Sequence, residues 1–412
     1  MKSSFARVIS NINFRLLWYS QIISQIALNT LTFVLAIEVY RLTLSNTAVS
    51  LMMLTFGLPA IFFGVAFGGI VDKYDKRLIL LISNLLRAAF LILFYFSSAY
   101  LLMLYFLSIL VSIATQLFIP AEAPSIPQIV RRQDLLSANS LFTITFYLSI
   151  VLGSILAGPS LRILGSKNVY LLISLTLLLA AYFNYRMARL TPAKNSDIQL
   201  NLKAFINPIK EGFLFIHHHP RIRQSLFLLT FSQALIATLV VLAPGFAHII
   251  LELPIEDVSM VVMGPAALGL ILGALTVGIV SKYMLRGSII LVGIVTTGVS
   301  LVILSVAGPL NYHGMIYVVM LMLVLIGISN SYINIPTSTI LQMETDRDLR
   351  GRIYGILTSL TGGISVLPVL FSGILADTFG IDKTMLIIGL IVLSTGFYYL
   401  SKRKKLASLP SN

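Results

Sequence analysis

Arg87 is the one cation inside a long apolar stretch of this sequence, and it makes the clearest chemical demand on its surroundings. It lies about 13 Å into a helix that rises 1.5 Å per residue. A cation at that depth in hydrocarbon is stable only where it is paired or hydrated. Asn84 lies one turn earlier on the same helix face, so the spacing predicts a membrane-embedded network of Asn84 and Arg87. The alternative, in which Arg87 extends along the helix to the lipid headgroups, fits this depth less well.

Uncharged amides and hydroxyls form a second group of polar side chains within apolar stretches. Such groups need hydrogen-bond partners in hydrocarbon, so they face protein or water. They either line a water-filled cavity or join helices through hydrogen bonds, and the sequence leaves both possibilities open. The members of this group are Gln25, Asn29, Gln116, Ser232, Gln233, Asn330 and Asn334.

The composition indicates that these side chains are surrounded by a membrane. Of the 412 residues, 57% are hydrophobic and only 11% are charged, and the mean hydropathy is +0.94. Soluble domains carry roughly 25% charged residues, so a soluble globule and a disordered chain are both excluded. The net charge of +14 comes from basic residues that separate apolar stretches, which is not the pattern of a nucleic-acid-binding protein. The chain has no cysteine, so disulfides and cysteine nucleophiles are excluded as well.

Twelve apolar stretches are long enough to cross a bilayer, which takes about 20 residues of helix. Of the 29 lysines and arginines, 24 fall on one side of the predicted membrane and 4 on the other. The positive-inside rule then places both termini in the cytoplasm of a multi-pass protein of the cell membrane, the inner membrane if the source is a bacterium. The predicted spans are 16–38, 48–71, 78–98, 100–120, 137–161, 168–188, 223–247, 258–282, 287–308, 314–338, 352–376 and 382–401.

The chain divides into two similar halves. One long hydrophilic stretch separates six spans from six, which predicts an N-terminal half at 1–188, a cytoplasmic linker at 189–222 and a C-terminal half at 223–412. The sequence Gly-Ile-Val-Asp-Lys-Tyr at 69–74 recurs as Gly-Ile-Val-Ser-Lys-Tyr at 278–283, and further matches follow in order on equivalent spans. Because six is an even number, both halves enter the membrane in the same direction, as a parallel repeat.

The loop after the second span resembles the signature motif of the major facilitator superfamily. Residues 68–77 are similar to its pattern G-x-x-x-D-[RK]-x-G-[RK]-[RK], with Asp75 where glycine is usual. Within the superfamily, residues 118–141 and 342–355 resemble the macrolide-efflux and enterobactin-exporter-like branch, and lysophospholipid transporters share part of the first pattern. The resemblance implies an all-α integral membrane fold of twelve transmembrane helices in two six-helix halves.

The resemblance also implies a gate at the cytoplasmic end of the second span. In this role the Asp72 carboxylate holds the two halves together by pairing with a cation or a helix N-terminus, and the contact is remade in each cycle. In the alternative, Asp72 only caps the third span and balances the nearby cations. Serine stands at the equivalent position of the second copy, so only the N-terminal copy can supply the charge. The candidate gating residues are Gly68, Asp72, Lys73, Lys76 and Arg77.

By the same resemblance, spans 1, 4, 7 and 10 line a central cavity, which makes the seven amide and hydroxyl residues candidate cavity residues. Proton-coupled transporters usually carry the proton on a membrane-embedded acid. Glu122 falls at the end of the fourth predicted span, near the cytoplasm, and the acid that the branch often carries near Asn29 is absent. Glu38, at the end of the first span, is the remaining candidate for a coupling acid, and the alternative is an interfacial charge beside Arg41.

These features predict a secondary active transporter, an antiporter that exports a moderately hydrophobic, amphipathic organic molecule by alternating access. A lysophospholipid or another lipid is the alternative substrate, and protons or sodium ions are the candidate coupling ions. A membrane enzyme would need clustered His, Asp or Glu at membrane depth and a sensor would need an output domain, so neither class fits. We expect a monomer with no catalytic residue and no cofactor. We also expect no metal site, because adjacent residues of the 217–219 histidine run point in different directions.

Overall fold

The structure is a computed structural model, and it describes residues 4–190, 216, 218–307, 315–345 and 366–401, without the side chains of residues 4, 64–66, 68–70, 72, 73, 136, 147 and 401. Nearly all of these residues are helical. The α-helices are α1 (Ser4–Ser10), α2 (Ile12–Thr43), α3 (Asn46–Lys73), α4 (Lys76–Ser97), α5 (Leu101–Ile129), α6 (Leu135–Arg186), α7 (Pro220–Gly245), α8 (Gly264–Val280), α9 (Arg286–Ala307), α10 (Met315–Glu344), α11 (Val366–Phe379) and α12 (Ile381–Ser401).

The helix lengths match membrane crossing. Within the described residues, ten helices are long and apolar enough to span a bilayer, and α11 is a shorter apolar helix of 14 residues. Helix α6 has 52 residues, about 78 Å at 1.5 Å per residue, which is more than twice the thickness of a bilayer core. Gly165 interrupts it with φ 76° and ψ 169°, so α6 is two spans joined at a kink. The predicted all-helical membrane fold is confirmed.

Helix α5 is longer than the fourth predicted span. It continues past Ile119 through Pro120, Pro124 and Pro127 and ends at Ile129. Membrane helices tolerate proline because neighbouring groups satisfy the freed backbone carbonyls. The apolar stretch ends near Pro120, whereas the helix does not, and this places Glu122 seven residues inside its end.

The chain forms two compact units. Unit 1 comprises Met1–Leu42 and Met52–Gln199, and unit 2 comprises Thr43–Leu51 and Leu200–Asn412. The first turns of α3 therefore group with unit 2, whereas the rest of α3 groups with unit 1. In unit 1, α4 packs against α5 and α6, and in unit 2, α10 packs against α7, α8 and α9.

Glycines bring α8 and α10 of unit 2 into close contact. A β-carbon at Gly269 would collide with the backbone of Val324, and one at Gly327 would collide with the backbone of Ala266. Small residues at helix contacts are the usual device for tight packing in membranes, where no hydrophobic effect drives helices together. This packing fixes the position of α10, which carries Asn330 and Asn334.

Candidate functional site

Arg87 is completely buried in unit 1. Its Nε and Nη2 atoms donate to the Ser83 hydroxyl oxygen at 3.1 and 2.7 Å, and the Ser83 hydroxyl donates to the Ala114 carbonyl at 2.6 Å. The guanidinium carbon lies 4.4 Å from the centre of the Phe118 ring, a cation–π contact. The side chain thus points back by one turn towards the start of α4, as helical side chains do, and ends inside the protein.

Three buried polar atoms of Arg87 and of residues on α4 and α5 have no hydrogen-bond partner among the described residues. They are Arg87 Nη1, Asn84 Oδ1 and Glu122 Oε1. Asn84 is completely buried, and its Nδ2 donates to the Ser20 hydroxyl at 3.4 Å. Glu122 lies one turn beyond Phe118 on α5 and interacts electrostatically with Arg87. An unsatisfied buried polar group destabilises a fold by about 1–3 kcal/mol, so this cluster is costly for a purely structural element.

Glu122 is the site residue that the sequence analysis missed. The fourth predicted span ends at Pro120, which put Glu122 at the end of that span, whereas α5 continues to Ile129. The helix bounds show that it lies within α5, next to the cation of α4. The signal that could have found it is the demand of Arg87 for a counter-charge on a neighbouring helix.

Glu38, the predicted coupling acid, lies in a different environment. It is 3% exposed, accepts from Arg41 Nη1 at 2.5 Å and accepts from the Ser166 hydroxyl at 3.0 Å. Ser166 directly follows Gly165, whose left-handed backbone brings the start of the second half of α6 to this point. Arg41 also donates to Ser166 at 2.8 Å, so the three side chains form a closed hydrogen-bonded group.

Three of the predicted cavity residues meet in unit 2. Asn330 Nδ2 and Asn334 Nδ2 donate to the Ser232 hydroxyl oxygen at 2.9 and 2.8 Å. Asn334 Nδ2 also lies 3.0 Å from the Asn330 carbonyl oxygen, one turn below. Ser232 is buried and both asparagines are half-buried, so one side of this cluster faces outwards from the helix packing. Gln233, next to Ser232 on α7, is exposed.

The remaining cavity candidates lie in unit 1 and are bonded within their own helices. Asn29 Nδ2 donates to the Gln25 carbonyl at 2.8 Å, and both residues are half-buried on α2. Gln116 is buried on α5, where its Nε2 lies 3.5 Å from the Ser112 carbonyl oxygen. These contacts hold the Asn29 and Gln116 side chains in place. The half-buried Gln25 lies at the edge of the packed helices.

The structure describes the side chains of only part of the gating motif. Gly68, Asp72 and Lys73 lie in the last turns of α3, and their side chains are outside the described residues. Lys76, the first residue of α4, is buried. Arg77 Nε donates to the Asn184 carbonyl at 3.3 Å.

Asp75, which replaces the usual glycine of this motif, makes contacts that glycine could not make. Its Oδ1 accepts from the Arg77 amide at 3.0 Å, which caps the start of α4. The same oxygen accepts from the Leu190 amide at 3.1 Å, beyond the end of α6. Asp75 therefore joins two helix ends of unit 1.

An ion pair fixes the segment before the first span. Arg7 on α1 contacts Asp134 at 2.7 Å, and Asp134 is buried in the turn before α6. The hydrogen bond to this carboxylate raises the pKa of the Arg7 guanidinium above its ordinary value. Because Arg7 lies at the surface, the pair orients α1 more than it stabilises the fold.

Comparisons with known proteins agree with this arrangement. The sequence profile of one family, the Major Facilitator Superfamily, matches residues 17–368. The uncharacterized MFS-type transporter YfiS of Bacillus subtilis (strain 168) is 25% identical over 383 residues, which cover 90% of this chain and 88% of that protein. Macrolide efflux protein A of Streptococcus pyogenes is 21% identical over 396 residues, which cover 93% and 94%. A crystal structure of the nucleoside transporter NupG matches with a TM-score of 0.75 at 13% identity over 94% of this chain and 98% of that one, a likeness of fold alone.

Proposed function

The chain belongs to the Major Facilitator Superfamily, and we propose that it exports a moderately hydrophobic organic molecule by alternating access. Its family makes it a membrane transporter rather than an enzyme, and the predicted resemblance to the macrolide-efflux branch is confirmed. The direction of export is supported by the name of the macrolide efflux relative. The proposed setting is the cell membrane, with both termini in the cytoplasm and a single chain as the working unit.

The proposed substrate class rests on the cluster of Ser232, Asn330 and Asn334. Its half-buried amides offer hydrogen bonds but no charge, on helices that are otherwise apolar. A strongly ionic substrate would lose its hydration there without compensation, which costs several kcal/mol per ion. An amphipathic molecule would bury apolar surface at about 25 cal/mol per Å² and satisfy the amides at the same time.

A lipid such as a lysophospholipid is the second candidate substrate. Its support is the Pro120-Ala121 and Ala138-Asn139 pattern that lysophospholipid transporters share. Such a lipid would bring a charged headgroup to a site whose amides and hydroxyl carry no charge. The two candidates therefore differ in whether the substrate needs a formal charge.

For the coupling ion, we propose a proton carried by Glu122 rather than by Glu38. Glu38 is held by both Arg41 and Ser166, so losing its charge would break an existing group of contacts. Glu122 has a buried oxygen without a partner among the described residues and lies near a cation that can stabilise its charged form. Sodium coupling is the alternative outcome.

The proposal is tested by ligand-dependent unfolding of the purified protein, followed by the fluorescence of Trp18, the one tryptophan of the chain. The probes are a lysophospholipid and four analogues with one apolar body: neutral, singly positive, singly negative and doubly positive. We expect the neutral and singly charged analogues to raise the unfolding temperature and the dication to have no effect. Stabilisation by the dication alone would contradict the substrate class, and stabilisation by a lysophospholipid alone would favour the second candidate.

A further inference from the structure

Asp377, near the end of α11, caps the start of α3. One carboxylate oxygen accepts from the Asn46 amide at 2.8 Å and from Asn46 Nδ2 at 3.0 Å. The other accepts from the Ser45 hydroxyl at 2.6 Å and from the Thr47 amide at 2.9 Å. A carboxylate at a helix N-terminus satisfies amides that have no partner in the helix and interacts favourably with the helix dipole. We call this group of four hydrogen bonds the α3 clasp.

Two glycines allow the first turn of α3 to approach α7 and α11 closely enough to form the α3 clasp. A β-carbon at Gly373, one turn before Asp377, would lie 2.7 Å from the Asn46 carbonyl oxygen and 2.5 Å from the Ser50 hydroxyl. A β-carbon at Gly245, at the end of α7, would lie 2.6 Å from Asn46 Oδ1. Asn46 itself is 2% exposed. The end of α7 and the end of α11 are therefore shaped to receive the first turn of α3.

All residues of the α3 clasp belong to unit 2, whereas α3 from Met52 onwards belongs to unit 1. Helix α3 has 28 residues, about 42 Å at 1.5 Å per residue, and its last turns carry Asp72. One helix thus has an acidic contact at its start and a proposed acidic gate at its end. In alternating access the two ends of the molecule open in turn, so two such contacts on one helix are suited to opposite states.

We propose that Asp377 is a gating residue, which holds the start of α3 in unit 2 in one state of the cycle and releases it in the other. This inference rests on the proposed alternating-access function. The α3 clasp would oppose the Asp72 gate, so that each favours the state that the other disfavours. Charge-assisted hydrogen bonds are strong enough for this purpose and reversible enough to be broken in each cycle.

The test measures distances between spin labels in the purified protein by pulsed electron spin resonance. The chain has no cysteine, so labels attach only where cysteine is introduced. Tyr100 and Tyr317 are both exposed. In the topology predicted from the sequence, both lie on the side of the membrane on which α3 starts. The double substitution Tyr100→Cys/Tyr317→Cys reports opening at that end. The substitutions Asp377→Asn, Ser45→Ala and Asp72→Asn are then added one at a time.

We expect Asp377→Asn to increase the ratio of long to short label distances by about tenfold, the effect of losing a charged hydrogen-bond acceptor. Ser45→Ala, which removes one donor, should shift the ratio in the same direction by less. Asp72→Asn should shift it in the opposite direction, and the Asp377→Asn/Asp72→Asn double variant should return towards the parent. The control is Asp382→Asn in the first turn of α12, which should leave the ratio unchanged.

Parent-like distances in both Asp377→Asn and Ser45→Ala, with a shift in Asp72→Asn, would overturn the gating role of Asp377 and leave alternating access intact. If Asp377→Asn does not yield folded protein, Ser45→Ala decides the same question. A single unchanging distance in every variant, Asp72→Asn included, would overturn both the α3 clasp as a gate and the proposed function.

Discussion

The helices of unit 1 and unit 2 differ in the polar side chains that they carry within their length. The helices of unit 1 contain charged side chains well within their length, namely Glu38, Arg87 and Glu122. In the described part of unit 2, charged residues lie at helix ends or between helices, and the helix interiors carry neutral amides such as Asn330 and Asn334. The described helix interiors of unit 1 therefore carry charge, whereas those of unit 2 carry neutral polar groups. The difference supports a division of roles, with ion coupling in unit 1 and substrate contacts in unit 2.

The largest effect is expected from Arg87→Met, which removes the central charge of unit 1. The change removes the hydrogen bonds of Arg87 to Ser83 and its contact with the Phe118 ring, and it leaves Glu122 without the nearby cation. A hydrogen bond from a charged group contributes about 1.5–3 kcal/mol. We expect a large fall in the unfolding temperature, measured by Trp18 fluorescence, and loss of transport. The Arg87→Met/Glu122→Gln variant should recover most of the stability without recovering coupling. A single variant as stable as the parent would show that the charge is not paired.

Glu122→Gln should abolish coupling while leaving the fold intact, because Arg87 keeps its hydrogen bonds to Ser83 and its contact with the Phe118 ring. With no proton to release, the variant should move substrate down its own gradient but no longer respond to a pH gradient. Glu38→Gln is the matched substitution, and it should retain the response to pH because its partners Arg41 and Ser166 give it a structural role. The reverse pattern, with coupling lost only in Glu38→Gln, would restore Glu38 as the coupling acid.

In unit 2, Asn330→Ala combined with Asn334→Ala should weaken substrate binding by about tenfold. Each lost hydrogen bond to the substrate is worth about 0.5–1.5 kcal/mol, and no charge is removed. The readout is the KM for transport, with the pH response unchanged. Asn168→Ala is the control, because Asn168 is an exposed amide on α6 that donates to the Leu164 carbonyl of its own helix. An unchanged KM in the double variant would remove these amides from the substrate site.

The smallest effect is expected from Asp75→Ala in the gating motif. Loss of a helix cap destabilises a protein by about 1 kcal/mol, and the contact with the Leu190 amide is lost as well. We expect a small fall in the unfolding temperature with transport retained. Loss of transport without loss of stability would give Asp75 a role in gating instead.

Most of the fold could be predicted from the sequence because long apolar stretches indicate membrane helices. The two spans within α6 were predicted separately because polar residues around Gly165 interrupt the apolar stretch, and the structure places the kink at that glycine. The end of α5 was predicted too early because proline and glutamate end an apolar stretch without ending a membrane helix. This difference bears on the site, since it places Glu122 within a helix rather than at the end of one.

Contacts between residues that are far apart in the sequence could not be predicted from sequence patterns. Asn84 and Arg87 are both buried on α4, and their side chains donate to Ser20 and to Ser83. The meeting of Ser232 with Asn330 and Asn334 depends on the packing of α7 against α10, which no periodicity encodes. The α3 clasp joins residues 331 positions apart, and neither Asn46 nor Asp377 differs locally from an ordinary helix-end residue.

The most direct test of the account is transport by the purified protein in proteoliposomes, with labelled amphipathic molecules and an imposed pH gradient. We predict that a neutral or singly charged amphipathic molecule accumulates against its own gradient, driven by protons, and that Glu122→Gln removes the accumulation. Exclusive transport of a dication, a sugar phosphate or a metal ion would contradict the proposed substrate site. Accumulation that is indifferent to the pH gradient would contradict the proposed coupling through unit 1.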